Sequence, residues 1–283
     1  MYKRQETDLP QLPDVVDLAS ALATLDEVNP LRLAGRVTEV TGLVLKATIP
    51  GVRDVANIGF GSGLTTHTLL GSPELAHLDT IEIERMMIEG ARLYSPLNKR
   101  AFSDPRSRIH IEDAKTYFAS QARRYDLIVS EPSNPWVSGT ATLFSQEFYG
   151  QARRYLKPEG LLVQWVQAYE INVGLLSSIF TALGKSFGDY AVYRTGADLL
   201  VVATPAARLP RLSDRAFAFP DLARDLERLG VRGLGDLEAM RVGGRTALEP
   251  LFLGGGVPPN SDYYPVLDPV SYTHLTLPTN REV

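Results

Sequence analysis

Asn57-Ile-Gly59-Phe-Gly61-Ser-Gly63 is the stretch whose residue types say most about chemistry. Three glycines at alternate positions let a backbone turn sharply and approach a ligand with no side chain in between. The spacing is G-x-G-x-G, not the longer G-x-G-x-x-G of dinucleotide sites. Glu82 stands 19 residues after Gly63, where an acid at the end of the next strand can accept both hydroxyls of a ribose. Glu112-Asp113-Ala114 follows. A carboxylate there can accept from an adenine amine or cap the next helix, and one aspartate can do both. Gly59, Gly61, Gly63, Glu82 and Asp113 together describe a nucleoside site.

For these groups to meet, each must end a strand of one sheet. Val52–Ile58, Leu78–Ile83, Arg108–Ile111, Asp126–Ser130 and Gly160–Val166 are short apolar runs that read as buried strands. Helical stretches lie between them at Leu64–Leu70, Arg85–Tyr94, Ala114–Arg123 and Gln146–Leu156. That alternation predicts a parallel sheet covered by helices, and right-handed crossovers make it doubly wound. Such sheets bind ligands outside the carboxyl ends of their strands, which puts all three elements of the site on one rim. A helix over Asn172–Phe187 precedes two closely spaced strands, Tyr190–Arg194 and Asp198–Ala203, expected as an antiparallel pair at the sheet edge. Upstream, Asp14–Val28 and Leu31–Ile49 have helical spacing, stopped by Asn29-Pro30 and Pro50-Gly51. Downstream of Thr204 the texture is mixed, with a helical Asp221–Leu229 and then Gly- and Pro-rich segments to Pro269.

Composition narrows the chemistry. Zero cysteines exclude disulfides, thiolate catalysis and Cys-ligated metal, and His67, His77, His110 and His274 show no H-x₃-H spacing, so no metal is expected. A net charge of −4 argues against nucleic acid as a partner. Arg123-Arg124 and Arg153-Arg154 read as helix ends favoured by the dipole. His67 reads as surface or packing, and His110 as a satisfied neighbour within the third strand. Residues 1–5 and Val270–Thr279 look like translated sequencing adapter, which places 1–5 and 270–283 outside fold reasoning. The natural segment is then about Glu6 to Pro269, with 26 basic against 32 acidic residues. No apolar run approaches ~18 residues. That statement covers this segment alone, because a missing flank could carry a membrane module.

At this point the sequence resembles the class I S-adenosylmethionine-dependent transferases. More narrowly it resembles their spermidine-synthase-like branch, including forms fused to a membrane transporter-like domain. The matching words are Ile58-Gly-Phe-Gly-Ser-Gly63, Glu82-Ile-Glu84, Glu112-Asp-Ala114, Tyr125-Asp-Leu-Ile-Val129, Leu143-Phe-Ser-Gln-Glu-Phe-Tyr149 and Leu156-Lys-Pro-Glu-Gly-Leu-Leu162. Asn260-Ser-Asp-Tyr-Tyr-Pro-Val-Leu267 resembles the closing segment of the fused forms. The fold expected is α/β: a doubly wound, mostly parallel, seven-stranded Rossmann-like sheet over 51–204. A helical segment over 6–50 precedes it and a helical or irregular extension over 205–269 follows. The resemblance implies decarboxylated S-adenosylmethionine or S-adenosylmethionine as co-substrate and a small amine or other nucleophile as acceptor. It also admits a homodimer, and implies a cytoplasmic domain that a missing flank could attach to a membrane.

Within that resemblance, Ser130-Glu131-Pro132-Ser133-Asn134-Pro135-Trp136 stands where spermidine synthases carry D-S-S-D-P, whose aspartates orient the amine and help deprotonate it. Only a neutral amine can attack the carbon next to a sulfonium, so a carboxylate base is useful. Glu131 takes the first aspartate's place and is the candidate catalytic acid; a strand-end carboxylate capping a helix is the alternative. Asn134 takes the second place and cannot act as a base. Ser62 replaces the acid usual in the glycine loop. Ser133, Asn134 and Trp136 border the candidate acceptor pocket, Trp136 as a lid or a core anchor. Gln164, Gln167, Tyr169 and Glu170 follow the fifth strand and can complete it. Asn134-Pro135-Trp136 also resembles the N-P-P-Y of amino-directed methyltransferases, one proline short. Three readings follow: aminopropyl transfer, methyl transfer to a small molecule, and a non-catalytic nucleoside-binding sensor of a membrane protein. The resemblance favours the first, while the missing acceptor charges favour the second or an unusual amine.

Overall fold

Among the described residues the chain builds one eight-stranded sheet with helices on both faces. The computed structural model describes residues 51–133, 135, 139–168 and 171–267. The expected helices at 14–28 and 31–49 and the two ends fall outside these residues. The strands are β1 (Asp54–Ile58), β2 (His77–Glu82), β3 (Ser107–Ile111), β4 (Tyr125–Ser130), β5 (Leu156–Gln167), β6 (Asp189–Thr195), β7 (Asp198–Thr204) and β8 (Arg241–Gly244). Their spatial order is β3-β2-β1-β4-β5-β7-β6-β8. The first five run parallel, β7 is antiparallel to β5 and to β6, and β8 is antiparallel to β6. The sheet is therefore doubly wound as expected, with eight strands rather than seven. The added strand comes from the C-terminal extension and covers the edge that β6 and β7 were expected to form. Strand order reverses between β1 and β4, the switch point where open α/β sheets bind ligands.

The helices are α1 (Leu64–Leu69), α2 (Arg85–Ala91), α3 (Lys99–Ser103), α4 (Ala114–Ser120), α5 (Gln146–Tyr155), α6 (Val173–Gly184), α7 (Pro220–Arg228), α8 (Leu234–Ala239) and α9 (Arg245–Leu253). Local chemistry explains where several begin. Asp113, Ser145 and Asn172 cap α4, α5 and α6 by accepting the amides of Thr116, Phe148 and Leu175. The helix α5 also carries Glu147 in its first turn and Arg153 and Arg154 in its last, both signs placed as the dipole favours. Arg123 and Arg124 lie beyond the end of α4 rather than in its last turn, and Arg123 instead lies 3.6 Å from Asp54.

Two apolar layers cover the sheet. One holds Phe118, Phe148, Leu176, Phe180 and Phe252 from α4, α5, α6 and α9. The other holds Leu69, Leu222, Leu226 and Leu237 from α1, α7 and α8. The Phe180 and Phe252 rings stack at 4.1 Å and dock α9 onto α6. Burying one such ring contributes on the order of 2–3 kcal/mol. Among the described residues no helix is long and apolar enough to cross a membrane.

Below the sheet, on the rim opposite the strands' carboxyl ends, Lys157 donates to Asp54 at 2.8 Å and to Asp126 at 2.9 Å. Asp126 also accepts the Arg53 and Asp54 amides. The Leu156–Leu162 word thus clamps the starts of β1, β4 and β5, a structural duty remote from the candidate site. Asp79, His110, Tyr125 and Tyr117 form a hydrogen-bonded chain between β2, β3, β4 and α4. His110 is accordingly a satisfied neighbour in the sheet.

Candidate active site

The glycine turn is held from three sides. The ladder runs one residue past the strands: the Gly59 amide donates to Ile81 O and the Glu131 amide to Ile58 O, each at 2.9 Å. Gly59 has φ 91°, and a Cβ there would stand 2.5 Å from the Glu131 carbonyl oxygen. Only glycine fits that approach. Gly63 (φ 78°) closes the turn by donating to Phe60 O at 2.8 Å, and a Cβ on it would meet the Phe60 ring at 2.8 Å. Fully buried Asn57 donates to Gly59 O at 2.8 Å from beneath. Fully buried Asn98 donates to Ser62 O at 2.7 Å and to Ala91 O at 2.6 Å from the side. Asn57 lay inside the glycine word without an assigned role, and Asn98 gave no signal at all. Its partner Ser62 is 36 residues away.

Glu82 is fastened to the same turn. One carboxylate oxygen accepts the Phe60 amide at 2.9 Å and the other the Glu84 amide at 3.0 Å. Each oxygen keeps a second lone pair for a diol. The Glu112 amide donates to Glu82 O at 3.0 Å, so the end of β3 lies beside Glu82. Asp113, exposed there, uses one oxygen to cap α4 through Thr116 N at 2.9 Å. Its other oxygen leaves the adenine role compatible with the cap. Ser62 Oγ accepts the Leu64 amide at 3.4 Å.

Glu131, half-buried just past β4, accepts from Thr65 Oγ1 at 2.7 Å. Thr65 lies in the first turn of α1, so the candidate acid is fixed to the helix that the glycine turn opens. Sequence reasoning missed Thr65. That helix is braced behind by Arg100, whose amide donates to His67 Nδ1 at 3.0 Å and whose Nη1 donates to Asp225 at 2.6 Å. His67 is thus a packing residue. Burial pushes the Asp225 carboxyl up, but hydrogen bonds from His67 and Arg100 and their charges outweigh this and hold it below the usual carboxylate range.

On the acceptor side, Ser133 is exposed and follows Glu131 by two residues. Gln164 and Gln167 lie within β5 rather than after it, because that strand extends to Gln167. Gln164 is buried beside Ser130, its register partner. Asn134, Trp136, Tyr169 and Glu170 fall outside the described residues. The Leu143–Tyr149 word has a structural role: Glu147 accepts from Ser261 Oγ at 2.8 Å and from the Asp262 amide at 2.9 Å, docking the C-terminal segment. Burial pushes Glu147 up, and these bonds outweigh it to hold the carboxyl below its usual range.

A glycine turn joined to Glu82 and abutting Glu131 at the switch point of a doubly wound sheet is the arrangement of the class I methyltransferase fold. Residues 36–196, more than half of the chain, match the family model described as spermine/spermidine synthase domain, and the chain belongs to that family. A polyamine aminopropyltransferase of Clostridium perfringens is 33% identical over 117 residues, 41% of each chain. Another from Streptococcus pneumoniae is 32% identical over 125 residues, 44% of this chain and 43% of that one. The matched stretch thus spans under half the length of these relatives. The fold is shared with a spermidine synthase solved with the transition-state analogue AdoDATO, at TM-score 0.55 and 21% identity over 68% of this chain and 74% of that one. It is shared also with a probable spermidine synthase of Corynebacterium glutamicum, at TM-score 0.54 and 16% identity over 80% and 81%.

Proposed function

We propose that the chain transfers an aminopropyl group from decarboxylated S-adenosylmethionine to a small amine. The observation that carries this reading is the joint between donor loop and acid. Gly59 lies directly against the Glu131 carbonyl, and Thr65 at the start of α1 holds the Glu131 carboxylate. A nucleoside seated on the turn, with its ribose hydroxyls on the spare lone pairs of Glu82, has its sulfonium side next to Glu131. Asp113 takes the adenine amine. Ile83, 72% exposed, and Ile111, register partner of Glu82, offer apolar surface for the ring.

The chemistry needs little more. The amine lone pair attacks the methylene carbon next to the sulfonium and the carbon–sulfur bond breaks. Its electron pair goes to sulfur, giving a neutral thioether, and the ammonium proton passes to Glu131. Charge disperses as the bond breaks, so alignment of nitrogen, carbon and sulfur supplies much of the rate. Family membership and the curated relatives support aminopropyl over methyl transfer. Glu131→Gln tests the assignment. Turnover should fall by roughly 10²–10⁴-fold, while the dissociation constant of the donor by calorimetry stays within about threefold. Normal turnover by this variant would remove Glu131 from the base role.

A further inference from the structure

On the face of the sheet covered by α7 and α8, beside β6, lies a cavity of about 810 Å³. Its floor is apolar sheet: Leu161 of β5, Val202 of β7, and Ala191 and Tyr193 of β6. This is a different part of the molecule from the glycine turn. Three strand spacings separate β6 from β4, roughly 14 Å at about 4.8 Å each. β6 runs in the direction of β5, because both are antiparallel to β7. The cavity follows β6 down to Gly188 and Asp189 at its start, on the rim opposite Glu131.

Four arginines line the same cavity, and their partners divide them into two roles. Arg245 is a brace: Nη2 donates to Glu249 at 2.6 Å, and Nη1 to the Phe187 and Gly188 carbonyls at 2.6 and 3.0 Å. Arg208, Arg211 and Arg241 are exposed, and no acid among the described residues pairs with them. Two acids lie among the described lining residues. Asp189 accepts the Tyr190 and Leu209 amides, each at 2.9 Å, and is committed to them. That leaves Glu238 against three guanidiniums, in a chain whose net charge is −4. Tyr193 adds a donor at the floor, because burial, and after it Glu238, push its phenol up and keep it protonated. A cation is repelled here, and a neutral apolar molecule leaves the guanidiniums unused. The guanidinium fork matches carboxylate, sulfonate and phosphate. The volume falls in the range of about 300–1,000 Å³ usual for small-molecule sites, more than a bare inorganic ion fills.

We propose that this cavity is a second ligand site, which takes a small organic anion: a carboxylate, sulfonate or phosphate on an apolar body. The apolar part lies on Ala191, Val202 and the Tyr193 ring, and the anionic head on Arg208, Arg211 and Arg241. The site is independent of the aminopropyl-transfer reading. Anilinonaphthalene sulfonate, whose fluorescence rises when it leaves water, probes it in the full chain. Phenylnaphthylamine serves as the uncharged comparison, and methylthioadenosine is added to fill the nucleoside site. One equivalent of the sulfonate should bind. Arg208→Gln, Arg211→Gln and Arg241→Gln combined should weaken it about tenfold or more and leave the neutral dye within about twofold. Because all three positions are exposed, the melting temperature and donor binding should not change. The site is overturned if wild type does not bind the sulfonate, or if methylthioadenosine displaces it. It is overturned equally if the triple variant binds the sulfonate as wild type does, or loses both dyes alike. A chain that shows the expected pattern and transfers no aminopropyl group keeps this site and loses only the proposed function.

Discussion

At the scale of single residues, the polar groups that matter most are those whose partners lie far along the chain. Thr65 reaches Glu131 across 66 residues. Thr65→Val should lower turnover by about tenfold through a loosened carboxylate while leaving donor affinity nearly intact, read as kcat against donor KM. Asp198 makes a different prediction. Its folded pKa of about 6 exceeds the unfolded carboxylate value, so the native state holds its proton more tightly. Its contribution to stability is therefore lost as pH rises from about 4 through 6, by up to about 3 kcal/mol. Chemical denaturation of wild type against Asp198→Asn should show wild type losing relative stability across that window. A constant difference would mean an unshifted carboxyl. The glycines, Glu82, Asp113 and Glu131 were legible in the sequence because each sits at a fixed place after a strand. Thr65 and Asn98 were not, because a buried polar side chain declares its role only through partners that folding brings to it.

At the scale of elements, β1 through β7 and most helices were legible from apolar runs and their spacing. β8 was not: Arg241-Val-Gly-Gly244 has no strand pattern, yet it pairs with β6, and the helix that follows it docks through Phe252 on Phe180. The words shared with the family also divide by position in a way spacing alone could not show. Lys157 ties strand starts below the sheet, whereas Glu147 docks the C-terminal segment. In that segment fully buried Asn260 donates to Ala141 O at 2.9 Å and accepts the Val266 amide at 3.0 Å, and the Gln146 amide donates to its carbonyl. Asn260→Ala should cost about 2–4 kcal/mol in denaturant unfolding; a loss under about 0.5 kcal/mol would show that the knot holds nothing. Gly59→Ala forces a Cβ onto the Glu131 carbonyl at a positive φ, so donor binding should vanish while the rest of the sheet, followed by circular dichroism, stays folded.

At the scale of the molecule, the sheet places Glu82, Asp113 and Glu131 on one rim, ordered along it by strand. Glu82 and Asp113 stand on β2 and beyond β3, and Glu131 beyond β4. On the proposed reading, the order of strands follows the order of ligand parts: adenine, ribose, reacting carbon and attacking nitrogen. The switch point sets the middle of that line, and the brace of Arg100, His67 and Asp225 fixes α1 behind it. The most direct test of this layout is product analysis by mass spectrometry, with the full chain, 1,4-diaminobutane and either decarboxylated or intact S-adenosylmethionine. The decarboxylated donor should give the diamine enlarged by one aminopropyl unit and an equal amount of methylthio nucleoside, and the intact donor no methylated amine. Methylation from the intact donor, or no thioether from either while both bind, would contradict it.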